Sequence, residues 1–319
     1  MADKKKHHYI PACYLAGFTK EGKRTSTFLC ARKDNTHQYG TNPNDSCAKS
    51  RYYKVDTLHA DPLYIENWYA EKVEPMIGKT LEFISKNHIL PTNDGMESLL
   101  LLVATLYLRT PNFRSSVFAP QKHIDKIIMS ALANDSNLYD NIATRAHENE
   151  DISSIPEHHK IRKFWADGEF SINANQDSLI QSEIDMILPM LDKLAYRFWQ
   201  LHVIPDDSED EFITSDQPFV LSSTDPKARG NIGILTSNTQ ITVPINKKTV
   251  LLGFLSEVKE ESPVVDKSMI GTVNYNIVKN CRDVFYSSKE TVLFSDGESK
   301  IWEFTFDKIN SKNNHNINL

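Results

Sequence analysis

Hydrophobic positions recur along this chain in three rhythms. Residues 25–32 (TSTFLCAR) and 50–55 (SRYYKV) are short runs rich in β-branched and aromatic residues, bounded by turn formers. Both read as strands, with an Asn-, Pro- and Asp-rich loop over 38–46 between them. From Asp61 the spacing becomes helical. Asp61 is a natural N-cap with Pro62 at the first helical position. Ile65, Trp68, Tyr69, Val73, Met76, Ile77, Leu81 and Ile84 then recur at three and four residues, a long amphipathic helix in which Pro75 predicts a kink. Asp94 caps a second helix to Leu108, apolar on most sides and so expected at the core. A third runs from Pro111 to about Ala133.

Residues 134–156 are polar and acidic and read as a surface loop, hinge or weak helix. A further helix spans about 177–194. In the last third the rhythm turns to strands over 198–204, 211–214, 240–245 and 249–255. Helical spacing returns over 269–286, and 292–294 and 301–306 are the last strands. The pattern predicts an α+β fold, a helical middle packed against a mainly antiparallel, mixed β region from both chain ends. It is read as a single domain over 1–307, with parts 1–60, 61–195 and 196–307. Residues 308–319, Asn-rich with little to bury, read as a disordered tail.

Composition narrows this only slightly. The chain has 319 residues, 40% hydrophobic and 24% charged, as in ordinary globular proteins. A formal charge of −6 argues against general capture by nucleic acid or membrane but leaves room for a local basic groove. No apolar run reaches the ~20 residues a bilayer requires, and no signal-peptide core follows the basic N-terminus. The expected location is the cytoplasm, with no membrane partner. Oligomeric state is not legible. Cys13, Cys30, Cys47 and Cys281 are scattered without a CxxC, so reduced thiols are expected. The spacing of the first three invites a zinc reading, which the lack of closely paired ligands disfavours. Among the 11 glycines none forms a phosphate-cradling loop.

The densest local signal is Lys6-His7-His8-Tyr9-Ile10-Pro11, followed by Tyr14-Leu15 and Gly17-Phe18. Pro11 favours an extended backbone before it. Alternation then places His8 with Ile10 on one face and His7 with Tyr9 on the other. Ile10, Tyr14, Leu15 and Phe18 anchor the segment, which directs His8 inward. Imidazole titrates near neutrality and is the commonest metal ligand.

HHYIPACYLAGFT resembles the opening of a bacterial domain-of-unknown-function family, numbered forty-two thirty-eight and marked by its HYIP motif. Further elements resemble it in order: Ile65-Glu66-Asn67-Trp68 with Glu74; Arg109-Thr110-Pro111-Asn112-Phe113-Arg114; Phe212-Ile213-Thr214-Ser215-Asp216-Gln217-Pro218; Ile241-Thr242-Val243-Pro244; and Asn274 with Asn276. The likeness implies no activity and no agreed catalytic residues.

Residue chemistry supplies the candidates. Asp216, at a strand end before Pro218, can ligate a metal, orient a histidine or act as a base, or else bond backbone amides in an Asx-type turn. Arg109 and Arg114 bracket the Pro111 helix start and offer an anion site, or clamp Glu66 or Glu74. Asn274 and Asn276 are placed to bond the Asp216 loop. Two functions compete. One is a phosphodiester hydrolase or nuclease with His7, His8 and Asp216 catalytic. Arg109, Arg114, Asn274 and Asn276 then bind nucleic acid or another phosphate-bearing ligand, and a divalent metal is the candidate cofactor. A histidine pair before an apolar-Pro step is locally similar to some HNH-like toxin nucleases. The other is a non-catalytic ligand- or protein-binding module in which HHYIP and SDQP are structural. The expected site places His8 and Asp216 in one pocket.

Overall fold

The computed structural model describes residues 6–34, 37–55, 61–148, 155–168, 172–225, 232–257, 265–297 and 300–306. The disordered tail expected at 308–319 lies outside them. The chain divides into two compact units, residues 1–113 with 183–319, and residues 114–182.

The first unit opens with β1 (Lys6–His8) and α1 (Ala12–Ala16), followed by β2 (Phe28–Arg32), β3 (Gln38–Thr41) and β4 (Ala48–Ser50). β1 pairs antiparallel with β4, His7 opposite Lys49 and His8 opposite Ala48. The helical stretch comprises α2 (Tyr64–Trp68), a π-helical turn (Tyr69–Val73), α3 (Glu74–Asn87) and α4 (Asp94–Leu108). The expected continuous helix is interrupted. Pro75 sits at the start of α3, and the preceding π turn accommodates its missing N–H. α4 is the apolar centre expected, with Leu99, Leu102, Val103, Ala104, Leu106 and Leu108 all buried.

After α8 (Gln176–Asp185) and α9 (Ile187–Ala195) come β5 (Phe198–Val203), β6 (Thr214–Ser215), β7 (Val220–Ser223), β8 (Thr239–Asn246) and β9 (Thr249–Phe254). Then follow α10 (Lys267–Asn280), β10 (Val284–Ser287), β11 (Thr291–Ser295) and β12 (Ile301–Thr305). Two four-stranded antiparallel sheets carry the β region, ordered β3-β2-β10-β6 and β5-β9-β8-β7. The first joins N-terminal and C-terminal strands, as the α+β reading expected.

Several element bounds differ from the sequence pattern. β3 lies in the expected loop, because it is an edge strand whose pairing with β2, not its own half-exposed side chains, holds it. The strand expected over 50–55 ends at Ser50, where Arg51 turns the chain with φ +54°. Residues 269–286 split into helix and strand after Asn280, since Cys281 takes an extended ψ of 149°.

The HHYIP segment packs on the C-terminal strands. The Tyr14 hydroxyl donates to the Pro244 carbonyl (2.8 Å) and shares a hydrogen bond with Thr214 Oγ1 (2.9 Å). A Cβ on Gly17 would stand 2.9 Å from Asn246 Cβ, so glycine permits the contact. α10 lies across the β11–β12 hairpin. A Cβ at Gly271 would meet the Phe294 carbonyl carbon at 2.7 Å and the Ser295 nitrogen at 2.8 Å. These are backbone atoms that cannot rotate away. Gly271→Ala is therefore expected to cost about 1–3 kcal/mol; a thermal melt indistinguishable from wild type would show that the helix shifts freely.

The second unit holds most of α5 (Pro111–Asn134), then α6 (Ser136–Glu148), α7 (His158–Asp167) and the start of α8. Residues 136–148, within the stretch read as surface loop, hinge or weak helix, are helical, with Tyr139 as a buried anchor. His158 is held at two points. Its Nε2 lies 3.0 Å from the Leu132 carbonyl and its ring packs on Tyr139.

Candidate functional site

The two histidines of HHYIP have separate environments. β1 ends at His8 and the chain bends at Tyr9 and Ile10, so strand alternation does not extend to Ile10. His7, not His8, is the fully buried one, while His8 is half-buried. His7 Nδ1 accepts the Tyr53 backbone N–H at 2.8 Å, which places the proton of the neutral ring on Nε2. Its ring runs within 7° of parallel to that of Tyr53.

His8 Nε2 lies 3.1 Å from the Pro43 carbonyl. Burial lowers its pKa, Arg109 adds to that, and Glu74 opposes it. The net direction leaves His8 a neutral imidazole at pH 7. Arg109 ends α4 and is only 1% exposed. It donates to the Tyr53 hydroxyl (Nε, 3.0 Å) and to the His8 carbonyl, and its guanidinium carbon stands 3.9 Å from the Tyr69 ring centroid. Burial opposes its charge, but Tyr53, Tyr69, Glu74 and Glu183 more than offset that, holding it protonated. The Tyr53 hydroxyl passes the chain on, donating to Glu183 Oε1 at 2.8 Å.

Glu74 is the carboxylate of this site. Its oxygens lie 3.9 Å from Arg109 Nη1 and 3.7 Å from Arg24 Nη2. The Arg–carboxylate clamp weighed from sequence is thus present, with Arg24 as an unanticipated third member. Arg109 Nη1 has no hydrogen-bond partner among the described residues. Cys13 Sγ lies 4.0 Å from the Glu74 carbonyl, and burial pushes its thiol up to about 11, so it is not a thiolate at neutral pH.

Asp216 is engaged elsewhere. Its Oδ1 accepts the Arg282 N–H (2.9 Å) and its Oδ2 accepts those of Asp283 (2.8 Å) and Val284 (3.3 Å). Burial pushes its carboxyl up to about 6, outweighing those donors. Among the described residues no hydrogen bond or ion pair joins Asp216 to His8; the Asp216 charge acts on Tyr9 and Cys47 beside β1. Asn280, which the sequence did not single out, completes the staple by donating to the Gln217 and Phe219 carbonyls at 3.0 and 2.9 Å.

Asn274 is fully buried. It accepts the Ile213 N–H (3.0 Å) and donates to the Glu211 and Leu293 carbonyls. It holds the approach to SDQP, as its position in α10 suggested. Asn276 is half-buried, and its side chain makes no hydrogen bond among the described residues. Arg114 is the first residue of the second unit and is buried. Among the described residues no three His, Cys, Asp or Glu side chains are grouped to hold a metal ion, and no helix is long and apolar enough to cross a membrane.

Tyr53, Glu183 and Arg24 join the network from loops and a distant helix, and no local spacing marks them. A family model described as "Protein of unknown function (DUF4238)" matches residues 6–291. No curated protein matches the chain, and no solved structure does.

Proposed function

We propose, for a chain that belongs to the family described as Protein of unknown function (DUF4238), that it is a non-catalytic binding module in which HHYIP and SDQP are structural staples. One observation carries this: both Asp216 oxygens are taken by three backbone amides of residues 282–284. A general base must offer a lone pair to substrate, and Asp216 commits both of its oxygens to backbone amides of its own fold. His7 Nδ1 is spent in the same way on Tyr53.

A second reading has its own support. His8 is half-buried and neutral, with Glu74, Arg109 and Arg24 nearby. A phosphodiester hydrolase would use His8 as base and the arginines as phosphate contacts. Hydrolysis of bis(p-nitrophenyl) phosphate by wild type and His8→Ala, with Mg²⁺, Mn²⁺ or Zn²⁺ added, separates the two. The binding module gives no turnover above His8→Ala. Turnover that falls about 100-fold or more in His8→Ala, at an unchanged melting midpoint, establishes the hydrolase instead.

A further inference from the structure

A cleft of about 690 Å³ opens in the first unit beside α1, the 20–22 turn, α3 and the turn between β8 and β9. Its size falls in the range of small-molecule sites, roughly 300–1,000 Å³. Leu81 and Ile245 give it apolar walls, and Lys20, Lys86, Lys247 and Lys248 line it. Lys247 and Lys248 are fixed by backbone carbonyls, Lys247 on Thr19 and Lys20, Lys248 on Ser208 and Asp210, and Lys247 is also paired with Glu211 at 3.6 Å, which leaves Lys20, Lys86 and Lys248 as the cations of the cleft. The ammonium groups of Lys20 and Lys86 have no partner among the described residues, and both residues stand exposed. Of the two acids lining the cleft, Glu21 is paired with Lys23 at 3.4 Å, which leaves Glu82 against the lysines. The balance is cationic.

Gly78 also lines the cleft, inside α3. Glycine is unfavourable in a helix interior. A Cβ there would meet nothing within 4 Å, so no packing within the chain calls for it. What the glycine does provide is a low helix surface along the cleft, open to close approach by another molecule.

We propose that this cleft binds an amphiphilic organic anion, an alkyl or acyl chain lying along Gly78 and Leu81 with a phosphate or carboxylate head at Lys20 and Lys86. The proposal rests on the binding-module reading and names its ligand class.

The test is calorimetric titration of the full chain with octyl phosphate and octanoate, against octanol and inorganic phosphate. The expected result is saturable one-to-one binding of at least one amphiphilic anion, the tighter of the two identifying the head group. Octanol and inorganic phosphate should each bind at least tenfold more weakly. Gly78→Leu fills the cleft and should weaken binding at least tenfold without lowering the melting midpoint. Should that variant fail to fold, Lys20→Glu with Lys86→Glu decides, with the same loss expected. Absence of saturable binding, octanol binding as tightly as the anions, or wild-type affinity in the folded variant overturns the proposal. The hydrolysis assay is separate: absent binding removes this ligand class alone, and His8-dependent turnover removes the binding-module reading alone.

Discussion

Arg109→Ala is expected to lower unfolding stability by about 3–5 kcal/mol, as when one partner of a buried ion network is removed. Arg109 is the hub of the first unit's polar interior. It is 1% exposed, donates to Tyr53 and the His8 carbonyl, and stacks on Tyr69. Its removal strips a cation from the neighbourhood of Glu183, which is itself fully buried, and leaves the His8 carbonyl without that donor. Arg109→Lys keeps the charge but not the planar fork or the ring stacking, so it should recover less than half of the loss. Denaturant unfolding checks both. An alanine variant within about 0.5 kcal/mol of wild type, the usual range for surface changes, would show the network to be dispensable.

Asp216→Ala is expected to cost about 3 kcal/mol, because three backbone N–H groups lose a largely buried acceptor. Asp216→Asn should cost less than half of that, since its amide oxygen still accepts and a neutral group escapes the burial penalty. The pH dependence has a definite sign. The folded carboxyl titrates at about 6, above its ordinary 3.8. The folded state therefore holds the proton more tightly, and stability from this group is full below about pH 4 and lost as pH rises through about 6. The advantage of wild type over Asp216→Asn should narrow between pH 4 and pH 7. An advantage that widens with pH would mean that the three amides, not burial, set the carboxyl.

Much of the architecture was legible because it is periodic. The α4 helix announces itself in LLLLVATLYL, and the strands β5, β8 and β9 in their apolar runs. What was missed lacks a local signature. β3 is held by its neighbour's register, and the π turn before Pro75 is a response to a missing donor, not a pattern. The site was partly legible for the same reason. Proline and aromatic anchors marked the HHYIP segment, and the Asx alternative for Asp216 was already implied by its place before a proline. His7 and His8 exchanged their expected burial because the strand ends one residue too early for alternation to carry through. The meeting of Glu74 with Arg24 and Arg109 joins three separate segments, and no spacing in a single sequence encodes it.

Amide hydrogen exchange at Arg282 and Asp283, in wild type and in Asp216→Ala, tests most directly whether SDQP is a structural staple. Both amides should be protected in wild type. In the variant they should lose far more protection than the strands β8 and β9 lose, because their acceptor alone is gone. If the two amides lose no more protection than those strands, Asp216 does not hold this turn, and its carboxylate is free for another task.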